Sequence, residues 1–100
     1  MTELAVVKVG GNALAEAEKV VSLIEELGHR EVVLVHGGGP QINEFLQRIG
    51  HRSLFHDGMR VTDSITLDAV RMVLAGRVNT QLVGALRAQG LPAVWISCVD

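Results

Sequence analysis

The chain has 100 residues, of which 48% are apolar and 20% charged, and its net charge is −2. That allows one small domain with a real core, and it excludes disorder. Lys and Arg number 9 against 11 Asp and Glu, so no basic surface invites nucleic acid. No uninterrupted apolar run exceeds four residues, as at Leu4–Val7 and Val32–Val35. A membrane helix needs about 20 and a signal peptide core about 7–15, so neither is expected. The single cysteine, Cys98, reads as a small buried hydrophobe and fits a reducing, cytoplasmic setting.

The first element is Leu4–Val9, a nearly continuous apolar run expected of a strand buried on both faces. Gly10-Gly11 end it, and a helix is predicted to begin near Asn12. Leu14, Ala17, Val20, Val21, Ile24 and Leu27 recur there at helical spacing, and Gly28 is its cap. Glu31–His36 is a second buried strand, stopped by Gly37-Gly38-Gly39. Pro40 opens the next helix, whose stripe is Ile42, Phe45, Leu46 and Ile49, with Gly50 closing it.

Ser53–Phe55 and Met59–Val61 flank His56-Asp57-Gly58 and predict a small hairpin, because Asp-Gly supplies positive φ. Thr62 or Asp63 can cap the following helix, with Leu67, Val70, Val73 and Leu74 inward. Gly76-Arg77 is expected to break or bend it. Val78–Gln89 is helical again, with Val78, Leu82, Ala85 and Leu86 inward and Gly90 at the end. Ala93–Ser97 reads as a third core strand. This order predicts an α/β fold: a layered αβα sandwich with a mainly parallel sheet and a small β-hairpin insert. The chain then stops just after a strand, where such sheets place ligands, so it reads as interrupted.

Chemistry concentrates where a strand runs into glycines, which happens twice. Backbone N–H groups of a glycine turn at a helix N-terminus attract anions. Lys8, near the end of the first strand, can neutralise phosphoryl oxygens. One such glycine cluster reads as a tight turn, and Lys8 alone as a snorkelling or edge-strand side chain. Two clusters at equivalent strand ends, with a strand-borne lysine, favour an anion site. Neither G-x-G-x-x-G nor G-x-x-x-x-G-K-[ST] occurs, which excludes the dinucleotide fingerprint and the Walker loop.

Arg60 follows the Asp57-Gly58 turn and can grip a carboxylate with two charge-assisted bonds. The chain alone does not separate that from a surface arginine paired with Asp57 or Asp63. Asn79, in the first turn of its helix, reads as a cap. His36 is read as orienting the second glycine loop. His29, His51 and His56 show no metal-ligand spacing, nor do Asp57, Asp63 and Asp68, so no metal site is expected from this chain's side chains.

Four strings occur in one order: Lys8–Leu14 (KVGGNAL), Val35–Ile42 (VHGGGPQI), Asp57–Asp63 (DGMRVTD) and Ala75–Asn79 (AGRVN). In them the chain resembles the acetylglutamate kinases of the amino-acid kinase family, over essentially its whole length. The first string is shared with carbamate kinases; the second and third narrow the likeness. The resemblance implies ATP with Mg²⁺ and transfer of the γ-phosphoryl to the side-chain carboxylate of N-acetyl-L-glutamate, in arginine biosynthesis. It implies that Lys8 stabilises the transferring phosphoryl and that Gly10 and Gly11 bind phosphate through their amides. Gly38 and Gly39 would hold the reacting groups, and Arg60 the α-carboxylate.

Members of this family are well over twice as long, so residues 1–100 are expected to be the N-terminal, substrate-binding part, with the nucleotide-binding part absent and the isolated chain inactive. A first strand beginning near Leu4 leaves no room for the extra N-terminal helix of arginine-inhibited hexamers. The expected assembly is then an arginine-insensitive homodimer, with the helix around Ser64–Ala75 at the two-fold contact. Two alternatives remain. One is a kinase for a carrier-borne acyl-aminoadipate, which would want a more basic loop than Arg52–His56. The other is a non-catalytic ligand-binding fragment.

Overall fold

The structure, a computed structural model, describes residues 3–10, 12, 15–28 and 31–97. Gly11, Leu14, His29 and Cys98, for which the sequence carries expectations, lie outside the described residues. β1 (Leu4–Val9) and β2 (Glu31–His36) form a parallel pair, in register from Leu4 opposite Glu31 to Val9 opposite His36. The crossover between them is α1 (Ala17–Glu26).

Burial in both strands alternates, which corrects the expectation of strands covered on both faces. Val9 and Leu34 pack against Val20, Val21, Leu82 and Leu86. Leu4, Val6, Val33 and Val35 stand on the opposite face, between 42% and 66% exposed. Helices cover one face of this sheet, and period-two side chains follow that asymmetry whatever their hydrophobicity.

The expected third strand is also corrected. Residues 93–97 make no ladder with β1 or β2. The Ala93 carbonyl accepts instead from Arg87 Nη1 at 2.9 Å, and Ala93 N–H donates to Leu91 O. Val94 and Ile96 are exposed.

α1 starts at Ala17, five residues later than the sequence predicts. A turn from Ala15 N–H to Asn12 O fills part of the interval, and Glu16 stands at the N-cap. α2 (Gly39–Arg48) does begin at the glycines, with Pro40 in its first turn. Its buried residues are Ile42 and Leu46; Ile49, expected on the same stripe, lies past the last turn and is exposed.

β3 (Leu54–His56) and β4 (Met59–Val61) form the predicted hairpin. Asp57 (φ 51°) and Gly58 (φ 78°) are both left-handed, the pattern of a two-residue type I′ turn.

Asp63 caps α3 (Ser64–Val70), its Oδ1 accepting from Thr66 N–H at 2.8 Å. The expected break at Gly76-Arg77 does not occur. A π-helical stretch, Arg71–Val78, joins α3 directly to α4 (Asn79–Ala88). With no helix N-terminus at Asn79, its reading as a cap is corrected too. The wider turns shift the inward face along the helix. Thr66, Ala69, Val73 and Val78 are buried in the first part, Leu82 and Leu86 in the second. Leu67, expected inward, is 40% exposed, because Thr66 and Ala69 take that face.

One long helix therefore serves two cores. Ile42 and Leu46 meet Ala69, Val73 and Val78; Val20 and Val21 meet Leu82 and Leu86. The molecule is drawn out accordingly, 46 × 24 × 24 Å with a radius of gyration of 15.1 Å. A compact chain of this length would show about 13 Å.

Candidate functional site

Parallel pairing puts the ends of β1 and β2 side by side. Val9 lies opposite His36, so Gly10 and Gly37 leave the sheet at the same edge. Open α/β sheets bind ligands in the crevice beyond these carboxyl ends. The sequence required the two strands to be neighbours for both loops to share one crevice, and they are.

The loops differ in quality. At the first, Glu16 stands at the N-cap position of α1 without a side-chain cap bond, and Glu18 sits in its first turn, so acidic residues already flank that N-terminus. The reading of Gly10-Gly11 as running directly into an anion-binding helix is thereby corrected. What remains there is the Gly10 backbone and Lys8. A Cβ built on Gly10 meets nothing within 4 Å, so the chain leaves open space at that point. Lys8 lies across from Val35, on the open face of the sheet. It is exposed and has no ion-pair partner among the described residues.

The second loop is the better-formed candidate for holding an anion. His36 Nδ1–H donates to Gly37 O at 2.9 Å, which ties the ring to the loop as the sequence predicts. Gly38 is the N-cap of α2, without a side-chain cap, and the first turn holds no acidic residue. The first amides of a helix point out of its N-terminus, so here they point at the loop. The two glycines do different work. Gly38 is buried, and a Cβ there would collide with Leu74 Cδ2 and lie 3.5 Å from Val78 Cγ2. Gly39 meets nothing within 4 Å. Gly38 is small so that the long helix can approach; Gly39 leaves room on the outer side.

Arg60 sits on the hairpin, in a sheet separate from β1 and β2. It is half-buried on β4, donates from Nη1 to Ser53 Oγ at 2.9 Å, and stacks over the Phe55 ring at 4.8 Å. Its acidic neighbours in sequence are engaged elsewhere. Asp57 lies 3.4 Å from His56 Nε2. Asp63 accepts from Thr66 N–H and pairs with His51 Nε2 at 2.9 Å. The Thr66 bond is the main reason the Asp63 carboxyl titrates below its usual range, with His51 adding to it. Arg60 is thus not the arginine paired with Asp57 or Asp63 that the sequence allowed.

A cleft of about 310 Å³ lies beside it, lined by Asn43, Gln47, His51, Arg52, Ser53 and Phe55. Gly39, Asn43 and Gln47 follow at steps of four and so share one face of α2. At 1.5 Å per residue, Gly39 lies about 6 Å along the axis from Asn43. The cleft therefore lies against the face of α2 that carries Asn43 and Gln47, with Ser53 and Phe55 on its other side; neither the glycine loop nor Arg60 lines it. Ser53 and Phe55 were not picked out by sequence as chemistry-bearing. The signal was present: a two-residue turn at Asp57-Gly58 sets Phe55 opposite Arg60, with Ser53 on the same face two residues back.

Gly11 lies outside the described residues. Among those described, no group of three or more His, Cys, Asp or Glu is placed to hold a metal ion, and no helix is long and apolar enough to cross a membrane.

Comparison with known proteins decides the family. The profile of the amino acid kinase family matches residues 3–100. The chain belongs to the amino acid kinase family. Within it, acetylglutamate kinase from Synechococcus sp. (strain CC9311) is 48% identical over 101 residues, a match covering 95% of this chain and 35% of that kinase. The chain spans about a third of the length of the curated relatives it matches. Among solved structures, smu.665 from Streptococcus mutans UA159 superposes with a TM-score of 0.84 at 27% identity, over 97% of this chain and 41% of that one. N-acetylglutamate synthase from Neisseria gonorrhoeae, solved with coenzyme A and N-acetyl-glutamate, gives 0.68 at 28% identity, over 93% and 22%. This member of the amino acid kinase family thus shares the α/β fold of both, with its parallel pair and glycine loops at the sheet edge.

Proposed function

We propose that the chain serves an acetylglutamate kinase reaction, and that it holds the acceptor acid and the transferring phosphoryl. One observation carries this reading: the parallel register brings Lys8-Val9-Gly10 beside His36–Gly39, while Arg60 is held apart from every nearby acid. The reaction moves the γ-phosphoryl of ATP to the side-chain carboxylate of N-acetyl-L-glutamate. A carboxylate oxygen forms the new O–P bond, the bond from phosphorus to the β–γ bridging oxygen breaks, and ADP leaves. Such transfers need positioning and positive charge more than covalent help.

Lys8 supplies a compact charge to the phosphoryl oxygens. Gly10, and with it Gly11, offers amides to phosphate; the open space at Gly10 fits that use. Gly38 and Gly39 hold the reacting carboxylate at the N-terminus of α2. Arg60 takes the α-carboxylate. With no acidic cluster among the described residues, Mg²⁺ would arrive on the nucleotide's phosphates, as Mg²⁺ commonly does. A biosynthetic kinase of this kind works in the cytoplasm. The homodimer that goes with it would use α3 and the π-helical stretch, where Ile65, Leu67 and Met72 are exposed.

The test, in a full-length kinase chain that includes the nucleotide-binding part, is a titration with N-acetyl-L-glutamate and with MgATP, followed by ADP formation with both. Arg60→Ala is expected to weaken the acid about 10- to 100-fold, the scale of a lost charge-assisted bond, and to leave the nucleotide unchanged. Lys8→Ala is expected to cut turnover by roughly 100-fold or more. Unchanged acid affinity in the Arg60 variant, or near-normal turnover in the Lys8 variant, overturns the assigned role. A second reading is ligand binding without transfer. It is favoured by the likeness to a synthase, a protein of different activity, solved with N-acetyl-glutamate. Acid binding without ADP formation would select it. Preference for a carrier-borne acyl-aminoadipate would select the related lysine-pathway substrate class.

A further inference from the structure

We propose that Ser53 and Phe55 are positioning residues that aim the Arg60 guanidinium for two-bond capture of a carboxylate. The inference rests on the reading of Arg60 as a carboxylate clamp and adds what makes that clamp ready before the acid arrives.

Ser53 Oγ accepts from Nη1 at 2.9 Å, which fixes one corner of the planar group. The guanidinium carbon lies over the Phe55 ring, 4.8 Å from its centroid. A corner bond and an aromatic ring beneath the guanidinium carbon together restrain the fork, and Nε and Nη2 have no other hydrogen-bond partner among the described residues and are left for a carboxylate. An unrestrained arginine loses much rotamer freedom when it grips a ligand; one already held loses less, so preorganisation strengthens binding without a new ligand contact.

Phe55 has no other evident purpose. It is 54% exposed and belongs to neither buried core cluster. The hairpin explains the arrangement. Residues flanking a two-residue turn exchange backbone hydrogen bonds, so the next pair, Phe55 and Arg60, is the closely spaced kind whose side chains meet. Ser53 and Phe55 also line the cleft beside Asn43 and Gln47, so the two residues that hold the fork also wall the space an acid would enter.

The test, in a full-length kinase chain, compares Ser53→Ala, Phe55→Leu, Phe55→Tyr and Arg60→Ala with the unsubstituted chain. N-acetyl-L-glutamate is titrated by calorimetry, the Arg60 Nε–H signal is followed by NMR, and thermal unfolding is recorded. Ser53→Ala and Phe55→Leu are each expected to weaken the acid about threefold to tenfold and to loosen the Arg60 signal in the free chain. Phe55→Tyr, which keeps the ring face, should bind as the unsubstituted chain does. Unfolding temperatures should barely move, since Phe55 is largely in solvent. If Arg60→Ala loses the acid while Ser53→Ala and Phe55→Leu bind normally, the positioning role is overturned and the kinase reading stands. If binding falls in step with unfolding temperature and Phe55→Tyr does not restore it, the residues are merely structural and the inference fails. If the unsubstituted chain and Arg60→Ala bind the acid equally, or neither binds it, the clamp reading fails and takes the inference with it.

Discussion

Gly38 and Gly39 are adjacent, identical and equally suggestive in sequence, yet alanine should act on them oppositely. At Gly38 the added Cβ would collide with Leu74 Cδ2, with Val78 Cγ2 already at 3.5 Å, the inner limit of ordinary carbon contact. Leu74 has to swing away. It packs against the cluster that holds Leu46 and Val73, both at 2% exposure or less, so it has little room. Forcing one methyl into such packing costs about 1–3 kcal/mol. At about 4–8 °C per kcal/mol for a chain this size, the unfolding temperature falls by about 4–24 °C. At Gly39 nothing lies within 4 Å, so Gly39→Ala should leave stability unchanged or raise it by up to about 1 kcal/mol. Its effect belongs to anion binding, where a methyl now intrudes. The assay is urea or thermal unfolding of both variants with a Gly38→Ala/Leu74→Ala double mutant. Removing the Leu74 side chain should make Gly38→Ala less costly than it is alone, a coupling that a double-mutant cycle measures. If Gly38→Ala unfolds within about 0.5 kcal/mol of the parent, or the cycle shows no coupling, the packing account of Gly38 is refuted.

Two further outcomes can be checked by unfolding experiments. Leu46 is wholly buried between α2 and the long helix, so Leu46→Ala should cost about 2–5 kcal/mol, and the hairpin turn should survive it. Asp63 titrates below its usual value because it caps α3 and faces His51. A carboxylate with a depressed folded pKa stabilises above its unfolded pKa of 3.8 and loses that contribution as pH falls through the lower folded value. The start of α3 should therefore loosen in acid below pH 3.8, and Asp63→Asn should flatten that part of the pH–stability curve. An unchanged curve would refute the cap's electrostatic share.

Much of this protein was legible locally. Asp57-Gly58 dictates a two-residue turn, because both positions need positive φ that these residues tolerate. Pro40 after three glycines dictates where α2 begins, and Asp63 where α3 begins. Strand, glycines and lysine point to an anion site, and the ordered strings point to the family. These signals depend on a few neighbouring residues, so no tertiary contact had to be known.

What sequence could not decide is what each element meets. Leu4, Val6, Val33 and Val35 read as core yet stand exposed, because a strand's hydrophobicity does not say which sheet face receives a helix. Ala93–Ser97 has a strand's composition, but a strand exists only where a neighbour offers a ladder. Gly76 reads as a breaker, yet π-helical turns carry the chain through, since joining two cores along one helix outweighs about 1 kcal/mol of glycine propensity. The same limit governs the site. Sequence nominated Lys8, Gly10, Gly11, Gly38, Gly39 and Arg60; of the described ones, only the parallel register sets Lys8 and Gly10 at the same sheet edge as the loop of Gly38 and Gly39. Only the hairpin's pairing shows Arg60 held by Ser53 and Phe55 rather than by an acid. Local chemistry set turns, caps and candidate residues; long-range packing chose the buried faces, the partners and the role of each glycine.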